Sequence, residues 1–309
     1  MTRPAENSVP VVDISELDGD AAHRSIDAAC RDWGFFQITG HGIGDTVVTD
    51  LFDAASRFFA QPVETKREIM RSAENPWGYY DEELTKNTRD WKQVFDFGPE
   101  DGDTQVARWP ELLGFEPAVR AYYDACESLA HRLLAVISTN LGMPSDHLGR
   151  DFGDGHTSFL RLNYYPLHPD GNEETPFGVN QHSDAGALTL LLQDDQPGLE
   201  VHRDGEWHLV EPTPGALVIN IGDMVQVWSN DEYRAALHRV VTNPVRDRFS
   251  APYFFNPAWD TDYAPLPTRV SPERPALYRP INWREFRTLR HAGDYADYGD
   301  EVQISDYRY

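Results

Sequence analysis

The chain is poor in cysteine, in basic residues and in long apolar runs, and each shortage removes a class of protein. Its two cysteines, Cys30 and Cys126, lie far apart and outside any CxxC spacing. Neither a disulfide framework nor a thiolate metal site is expected, and both read as small apolar packing residues. Lysine and arginine number 27 against 51 aspartates and glutamates, a net charge of −24. That excess repels phosphate backbones and anionic membranes, so it excludes nucleic acid and membrane surfaces as expected partners and reads as solvated surface. The opening MTRPAENSVPVVDISELDGD has no apolar run of the signal-peptide kind, and nowhere does the chain approach the roughly 18 apolar residues of a membrane helix. A cytoplasmic protein is therefore expected. GxGxxG, GxxxxGK[ST] and βαβ alternation are absent, which argues against a nucleotide-binding fold, and there is no internal repeat.

What is present is a globular composition, 309 residues with 40% apolar and 12% aromatic side chains, enough for a sizeable core. Helical signals dominate the first half. After the strand-like Val9–Val12, residues 20–32 and 45–60 place apolar side chains at three- and four-residue intervals, and 116–141 reads as one long helix with a core stripe. Between the first two helices, Phe35–Thr39 predicts a strand ending in the turn Gly40-His41-Gly42. Residues 72–104 show no sustained period. From residue 157 the texture changes to eight short β-rich segments, TSFLRLNYY, GALTLLLQ, LEVHR, EWHLV, ALVINIG, VQVWS, HRVVT and SAPYFF, separated by Gly, Pro, Asp or Asn turns. That spacing predicts an antiparallel sandwich or barrel.

Three clusters carry chemistry. In Asn180-Gln181-His182-Ser183-Asp184 an imidazole and a carboxylate stand at i and i+2, on one face of an extended chain. His238 follows after enough short strands for the chain to wind back beside them, so two histidines and a carboxylate can converge, the donor set of the Fe(II) facial triad. With 11 histidines in the chain the spacing alone is weak, and the second cluster strengthens it. Arg248 and Ser250 share a strand face after His238, and a guanidinium fork beside a hydroxyl suits one carboxylate of a diacid. In the third cluster, period-two projection aligns Arg161, Asn163 and Tyr165. If that face points inward, Arg161 needs an anion, either a substrate carboxylate or an acidic side chain such as an aspartate of the acidic C-terminal segment.

HSD, then H, then RFS, with NYYP before them and with VPVVDIS and CRDWGFFQITGHGI near the start, resemble the iron(II)- and 2-oxoglutarate-dependent dioxygenases of the isopenicillin N synthase-like superfamily, over nearly the whole chain. The resemblance implies a mainly β fold with flanking helices, a double-stranded β-helix (jelly-roll) core with a long helix packed along it. It also implies one catalytic domain over 1–309, with an N-terminal helical and strand region over 1–110 and the Fe(II)/2-oxoglutarate core over 150–260.

By the same resemblance His182, Asp184 and His238 match the iron ligands, Arg248 and Ser250 the pair that grips the far carboxylate of 2-oxoglutarate, and Tyr165 and Asn163 further residues on the co-substrate side. Phe254 matches a position facing the organic substrate, and the segment RHAGDYADYGDEVQISDYRY a cover for the active-site mouth. His41 reads as a turn histidine, His156, His168, His202 and His208 receive no role, and Trp77, Tyr79 and Tyr80 read as packing anchors. The expected activity is oxidation, by default hydroxylation, of a small molecule that carries a carboxylate if Arg161 faces it, using Fe(II), 2-oxoglutarate and O2 and releasing succinate and CO2. Two alternatives stand beside it: an oxidase of the same family that does not use 2-oxoglutarate, and a non-enzymatic β-helix protein that binds a small ligand.

Overall fold

A computed structural model describes residues 8–100, 105–168, 177–242, 245–295, 299–300 and 302–309. The first part of the chain runs β1 (Val11–Asp13), α1 (Asp20–Asp32), β2 (Phe35–Thr39), α2 (Asp45–Phe59), α3 (Val63–Arg67), β3 (Gly78–Tyr80), β4 (Leu84–Thr85), β5 (Thr88–Arg89), β6 (Gln93–Phe97) and α4 (Phe115–Asn140). Then follow β7 (Phe159–Tyr165), β8 (Val179–His182), β9 (Leu188–Gln193), β10 (Leu199–Arg203), β11 (Glu206–Leu209), β12 (Leu217–Ile221), α5 (Asp223–Trp228), β13 (His238–Val240), β14 (Arg248–Phe255), β15 (Asp262–Tyr263), β16 (Ile281–Asn282) and α6 (Trp283–Arg290).

The helices form where the apolar period asks for them. In α1 the buried stripe is Ala22, Ile26, Ala29 and Cys30, and in α2 it is Leu51, Ala54, Ala55, Phe58 and Phe59. Along α4, Val119, Tyr122, Cys126, Leu129, Leu133 and Ile137 continue that spacing and sink into the main core. Each such side chain taken fully out of water contributes about 1.5–3 kcal/mol. Among the described residues no helix is long and apolar enough to cross a membrane.

Eight strands make the larger sheet in the order β1-β2-β12-β9-β14-β7-β6-β3, and four make the smaller, β11-β10-β13-β8. All pairs are antiparallel except β1 with β2. The strands from β7 to β14 alternate between the sheets, apart from the β10–β11 hairpin within the smaller one, as in a jelly roll. Alternation along each strand explains why. Leu160, Leu162, Leu188, Leu190, Leu192, Leu217, Ile219, Tyr253 and Phe255 point outward into the core shared with α4. The inward positions mix apolar side chains with polar ones. Tyr165, Leu191 and Val218 of the larger sheet meet Val179, Leu199, Val201 and Val240 of the smaller in a second apolar cluster between the sheets.

Two segments depart from the sequence expectation. VQVWS, expected as a strand, lies in α5, because Gly222 N–H donates to Ala187 O and Asp223 N–H to Asp184 O, turning the chain out of the sheet. Met224, Val225, Val227 and Trp228 are all buried there, so the run carries no period that separates strand from helix. The stretch 72–104, which showed no period, supplies β3 to β6, and β6 pairs along β7 with Asp96 opposite Arg161.

Candidate metal centre and co-substrate pocket

His182 ends β8 and His238 begins β13, and the two residues face each other across the ladder. Asp184 stands two residues on, in the loop that leads to β9. The ligand-type atoms of His182, Asp184 and His238 all lie within 4.8 Å of one another. Nε2 of His182 is 3.6 Å and Nε2 of His238 3.8 Å from Asp184 Oδ1. Each imidazole is turned by its other nitrogen: His182 Nδ1 is 2.8 Å from Asn180 O and His238 Nδ1 3.1 Å from Ala236 O. A carbonyl can only accept, so both Nδ1 atoms carry the proton and both Nε2 lone pairs face the centre. Asp184 is fixed in the same way. Its Oδ2 accepts from Thr189 Oγ1 at 2.5 Å and from Asn220 Nδ2 at 2.8 Å, which leaves Oδ1 for a ligand.

Electrostatics agree with a metal-ready site. Burial, and then the nearby His238, push His182 down to about 3, so its imidazole is neutral over the ordinary pH range. Burial would raise the Asp184 carboxyl, but the two histidines and the hydrogen bonds from Thr189 and Asn220 hold it below the usual aspartate value. Two imidazoles turned by their Nδ1 bonds and one ionised carboxylate, with their second atoms already occupied, fit Fe(II) on one face.

Beside this centre lies a second polar group on the inner sheet face. The registers place Arg248 opposite Tyr165, and Ser250 opposite Asn163 on one side and Gln193 on the other. Arg248 is 1% exposed. Its Nε donates to Gln196 O at 3.2 Å, its Nη2 to Gln193 Oε1 at 3.0 Å, and the guanidinium lies over the Tyr165 ring. Its Nη1 is buried with no hydrogen-bond partner among the described residues, as are Gln193 Nε2 and Asn163 Oδ1. Leaving such groups unmet costs about 1–3 kcal/mol each. Ser250 Oγ accepts from Asn163 Nδ2 at 3.3 Å, so its own proton is available to an acceptor. An unmet guanidinium nitrogen next to a hydroxyl is what one carboxylate of a dicarboxylate would satisfy.

Arg161 does share the inward face with Asn163 and Tyr165, and the anion it needs comes from within the chain. Its Nε and Nη2 donate to Asp96 at 2.7 and 2.8 Å, and its Nη1 and Nη2 to Glu83 at 2.9 and 3.2 Å. Arg71 bridges the same two carboxylates. Of the two expected partners for Arg161 the structure supplies the acidic side chain, and the paired carboxylates come from the segment before β4 and from β6 rather than from the C-terminal segment. Phe254 stacks on Phe159, centroids 4.6 Å apart, on the face that carries Arg248 and Ser250. His41 closes a turn, accepting from Ile43 N–H at Nδ1 with Nε2 3.1 Å from Gly215 O. Tyr79 is buried against Phe58. In the C-terminal segment, α6 ends at Arg290, and residues 296–298 and 301 lie outside the described residues.

Sequence reasoning passed over Thr189, Asn220 and Gln193. The signal was available: each is a polar residue at an inward position of an otherwise apolar strand, in GALTLLLQ and ALVINIG. Glu83, Lys92 and Asp96 had no such signal, since only the tertiary fold brings them to Arg161.

Comparison with known proteins accords with this geometry. Residues 156–257 match the model of the 2OG-Fe(II) oxygenase superfamily, and residues 9–113 that of the non-haem dioxygenase in morphine synthesis N-terminal family. Jasmonate-induced oxygenase 2 of Arabidopsis thaliana is 34% identical over 312 residues, covering 92% of this chain and 79% of that protein. Gibberellin 20 oxidase 2 of Oryza sativa subsp. japonica is 36% identical over 305 residues, covering 93% and 77%. The crystal structure of JOX2 in complex with 2OG, Fe and JA superposes with a TM-score of 0.86 at 30% identity, covering 99% of this chain and 92% of that one.

Proposed function

The chain belongs to the 2OG-Fe(II) oxygenase superfamily, and from that premise we propose that His182, Asp184 and His238 hold the iron, that Arg248, Ser250, Tyr165 and Asn163 receive 2-oxoglutarate, and that the small-molecule substrate is hydroxylated. The enzyme is an Fe(II)- and 2-oxoglutarate-dependent dioxygenase that uses O2 to oxidise a small molecule. The observation that carries the assignment of residues is the pairing of a converged histidine–aspartate–histidine set with a buried, unmet Arg248 Nη1 on the same inner surface.

The chain's own part follows from its hydrogen bonds. Thr189 and Asn220 occupy Asp184 Oδ2, so with His182 and His238 the carboxylate would hold Fe(II) through Oδ1. Arg248, through Nη1, and Ser250, through its hydroxyl, would take the far carboxylate of 2-oxoglutarate. Tyr165, Leu191, Val218 and Val240 keep water from the space between the sheets. When bound, Fe(II) and 2-oxoglutarate supply the oxidising chemistry, with release of succinate and CO2.

The stacked Phe159 and Phe254 form an aromatic wall for the substrate. Lys92, like Arg161, is paired within the chain, so neither cation requires a substrate carboxylate. Lys92 is buried, 3.0 Å from Asp90 and 3.9 Å from Glu83, and those two anions outweigh burial and raise its pKa. The buried free thiols of Cys30 and Cys126 fit the cytoplasm as its compartment. The whole chain then acts as one catalytic unit.

The test is a consumption assay. Enzyme loaded anaerobically with Fe(II) and 2-oxoglutarate is exposed to O2 with amino acids, small acids and aromatic natural products in turn, with succinate and product mass read together. Hydroxylation adds one oxygen atom per succinate formed. Substrate oxidation at full rate without 2-oxoglutarate and without succinate would instead establish the oxidase alternative.

A further inference from the structure

Helix α6 sets a buried guanidinium directly behind the metal-binding loop. Arg290 is 1% exposed. Its Nη2 donates to the backbone O of Ser183 at 3.1 Å and to Ser183 Oγ at 3.2 Å. Its Nη1 reaches Val302 O at 3.2 Å and Asp223 Oδ2 at 3.4 Å. Ser183 is the residue between His182 and Asp184. Asp223 is hooked to the same loop, its N–H donating to Asp184 O at 2.7 Å. Backbone contact there is close: a Cβ on Gly222 would stand 2.1 Å from Gly186 O. One side chain thus joins three pieces distant in sequence, the loop carrying two ligands, the start of α5, and the chain beyond α6.

We propose that Arg290 is a positioning residue for the iron centre, fixing the peptide between the two ligands His182 and Asp184 and coupling metal loading to the docking of the C-terminal segment. This rests on the reading of His182, Asp184 and His238 as the Fe(II) ligands. The physical case is geometric. β8 ends at His182, so beyond it the sheet ladder no longer sets the backbone, and rotation of the Ser183 peptide would swing the Asp184 carboxylate away from His182. The buried Arg290 Nη2 holds that peptide by its oxygen and the Ser183 hydroxyl beside it, while Nη1 of the same rigid fork is anchored on Val302 O and Asp223. Partners behind metal ligands typically carry a 10- to 100-fold effect on affinity, roughly, when removed. Coupling is reciprocal: a docked C-terminal segment that tightens metal binding is itself held more firmly when metal is bound. A purely structural role, in which the Arg290–Asp223 pair serves fold stability alone, makes a different set of outcomes.

The experiment titrates Mn(II), a redox-inert stand-in for Fe(II), into the metal-free full chain by calorimetry, for wild type, Arg290→Lys, Arg290→Met and His238→Ala. Thermal unfolding of the metal-free forms is recorded alongside. Arg290→Lys keeps the charge beside Asp223 but cannot fork to Ser183 and Val302 together. The expected result is a melting temperature close to wild type with a Mn(II) dissociation constant raised about ten-fold or more. A second readout uses wild type alone: Mn(II) should slow tryptic cleavage within α6 several-fold.

An Arg290→Lys affinity within two-fold of wild type, or α6 cleavage that does not respond to Mn(II), would overturn the proposal. Lowered melting with unchanged affinity would assign Arg290 to stability alone. His238→Ala keeps the two failures apart: if it leaves Mn(II) binding intact, the ligand assignment itself is wrong, whereas if it abolishes binding while Arg290→Lys does not weaken it, only the positioning role falls.

Discussion

Replacing Arg248 tests the co-substrate pocket with the fewest side effects. Its Nε and Nη2 are committed to Gln196 O and Gln193 Oε1, while Nη1 faces the pocket unmet. A carboxylate there gains one charge-assisted bond from Nη1 and one from the Ser250 hydroxyl. A hydrogen bond to a charged group contributes about 1.5–3 kcal/mol net, so Arg248→Met should weaken 2-oxoglutarate binding about 10- to 150-fold. Arg248→Lys keeps the charge but cannot hold both anchoring contacts and still present a donor, so a loss of about ten-fold or more is expected. Ser250→Ala, losing one donor, should fall below the loss for Arg248→Met. Anaerobic calorimetric titration of metal-loaded enzyme with 2-oxoglutarate measures all three, and metal affinity, read separately, should change little. If Arg248→Met bound 2-oxoglutarate as wild type does, the unmet nitrogen would not be a carboxylate receptor and the pocket assignment would be refuted.

Removing a donor behind Asp184, by Thr189→Val or Asn220→Leu, should raise the metal dissociation constant roughly 10- to 100-fold without touching a ligand, as metal titration would show. Arg161→Leu leaves Glu83 and Asp96 buried with fewer counter-charges and should cost about 3–5 kcal/mol of stability in denaturant unfolding, with 2-oxoglutarate affinity of the folded fraction unchanged. Equal losses of both would place Arg161 in the pocket instead. For pH, His182 is depressed from 6.5 to about 3 in the fold. The unfolded chain therefore takes up a proton that the folded metal-free chain refuses, and this contribution to stability is full above pH 6.5 and lost as pH falls toward 3. Between pH 7.5 and 5 it amounts to about 2 kcal/mol, from ~1.4 kcal/mol per pH unit and proton. His182→Gln should flatten the pH dependence of metal-free unfolding by about 0.6 proton on average over that window, approaching one proton near pH 5, and an unchanged slope would mean that His182 is not held neutral.

Local pattern carried most of the fold. α1, α2 and α4 lie where the apolar period put them, because each has one face in the main core and one in solvent, whereas β2, buried on both faces, was marked by its β-rich run ending at the Gly40-His41-Gly42 turn. The pattern failed at α5, where every side of a short apolar run is buried, and at β6, whose Val94, Phe95, Asp96 and Phe97 are covered on both faces and so show no alternation. Within the site, the ligand-type residues stood out through their company, since the spacing of His182 and Asp184 is weak alone and Arg248 and Ser250 follow His238 at a spacing that suits a diacid. Arg161 shows the limit. Period two placed it correctly on the inward face, but whether a buried guanidinium meets a substrate or an internal carboxylate depends on Glu83 and Asp96, which reach it only through the pairing of β6 with β7 and the segment before β4. Arg290 was beyond any local signal, since its partners at Ser183, Asp223 and Val302 are brought together by the whole chain.

The most direct test of the centre is an anaerobic optical titration of the Fe(II)-loaded protein with 2-oxoglutarate. Chelation of the keto acid to iron produces a visible charge-transfer absorption, which should saturate at one equivalent per chain in wild type and be absent from His182→Ala, Asp184→Ala and His238→Ala. A wild-type protein that binds Fe(II) and 2-oxoglutarate without this absorption, or a His238→Ala variant that retains it in full, would contradict the assignment of the three ligands.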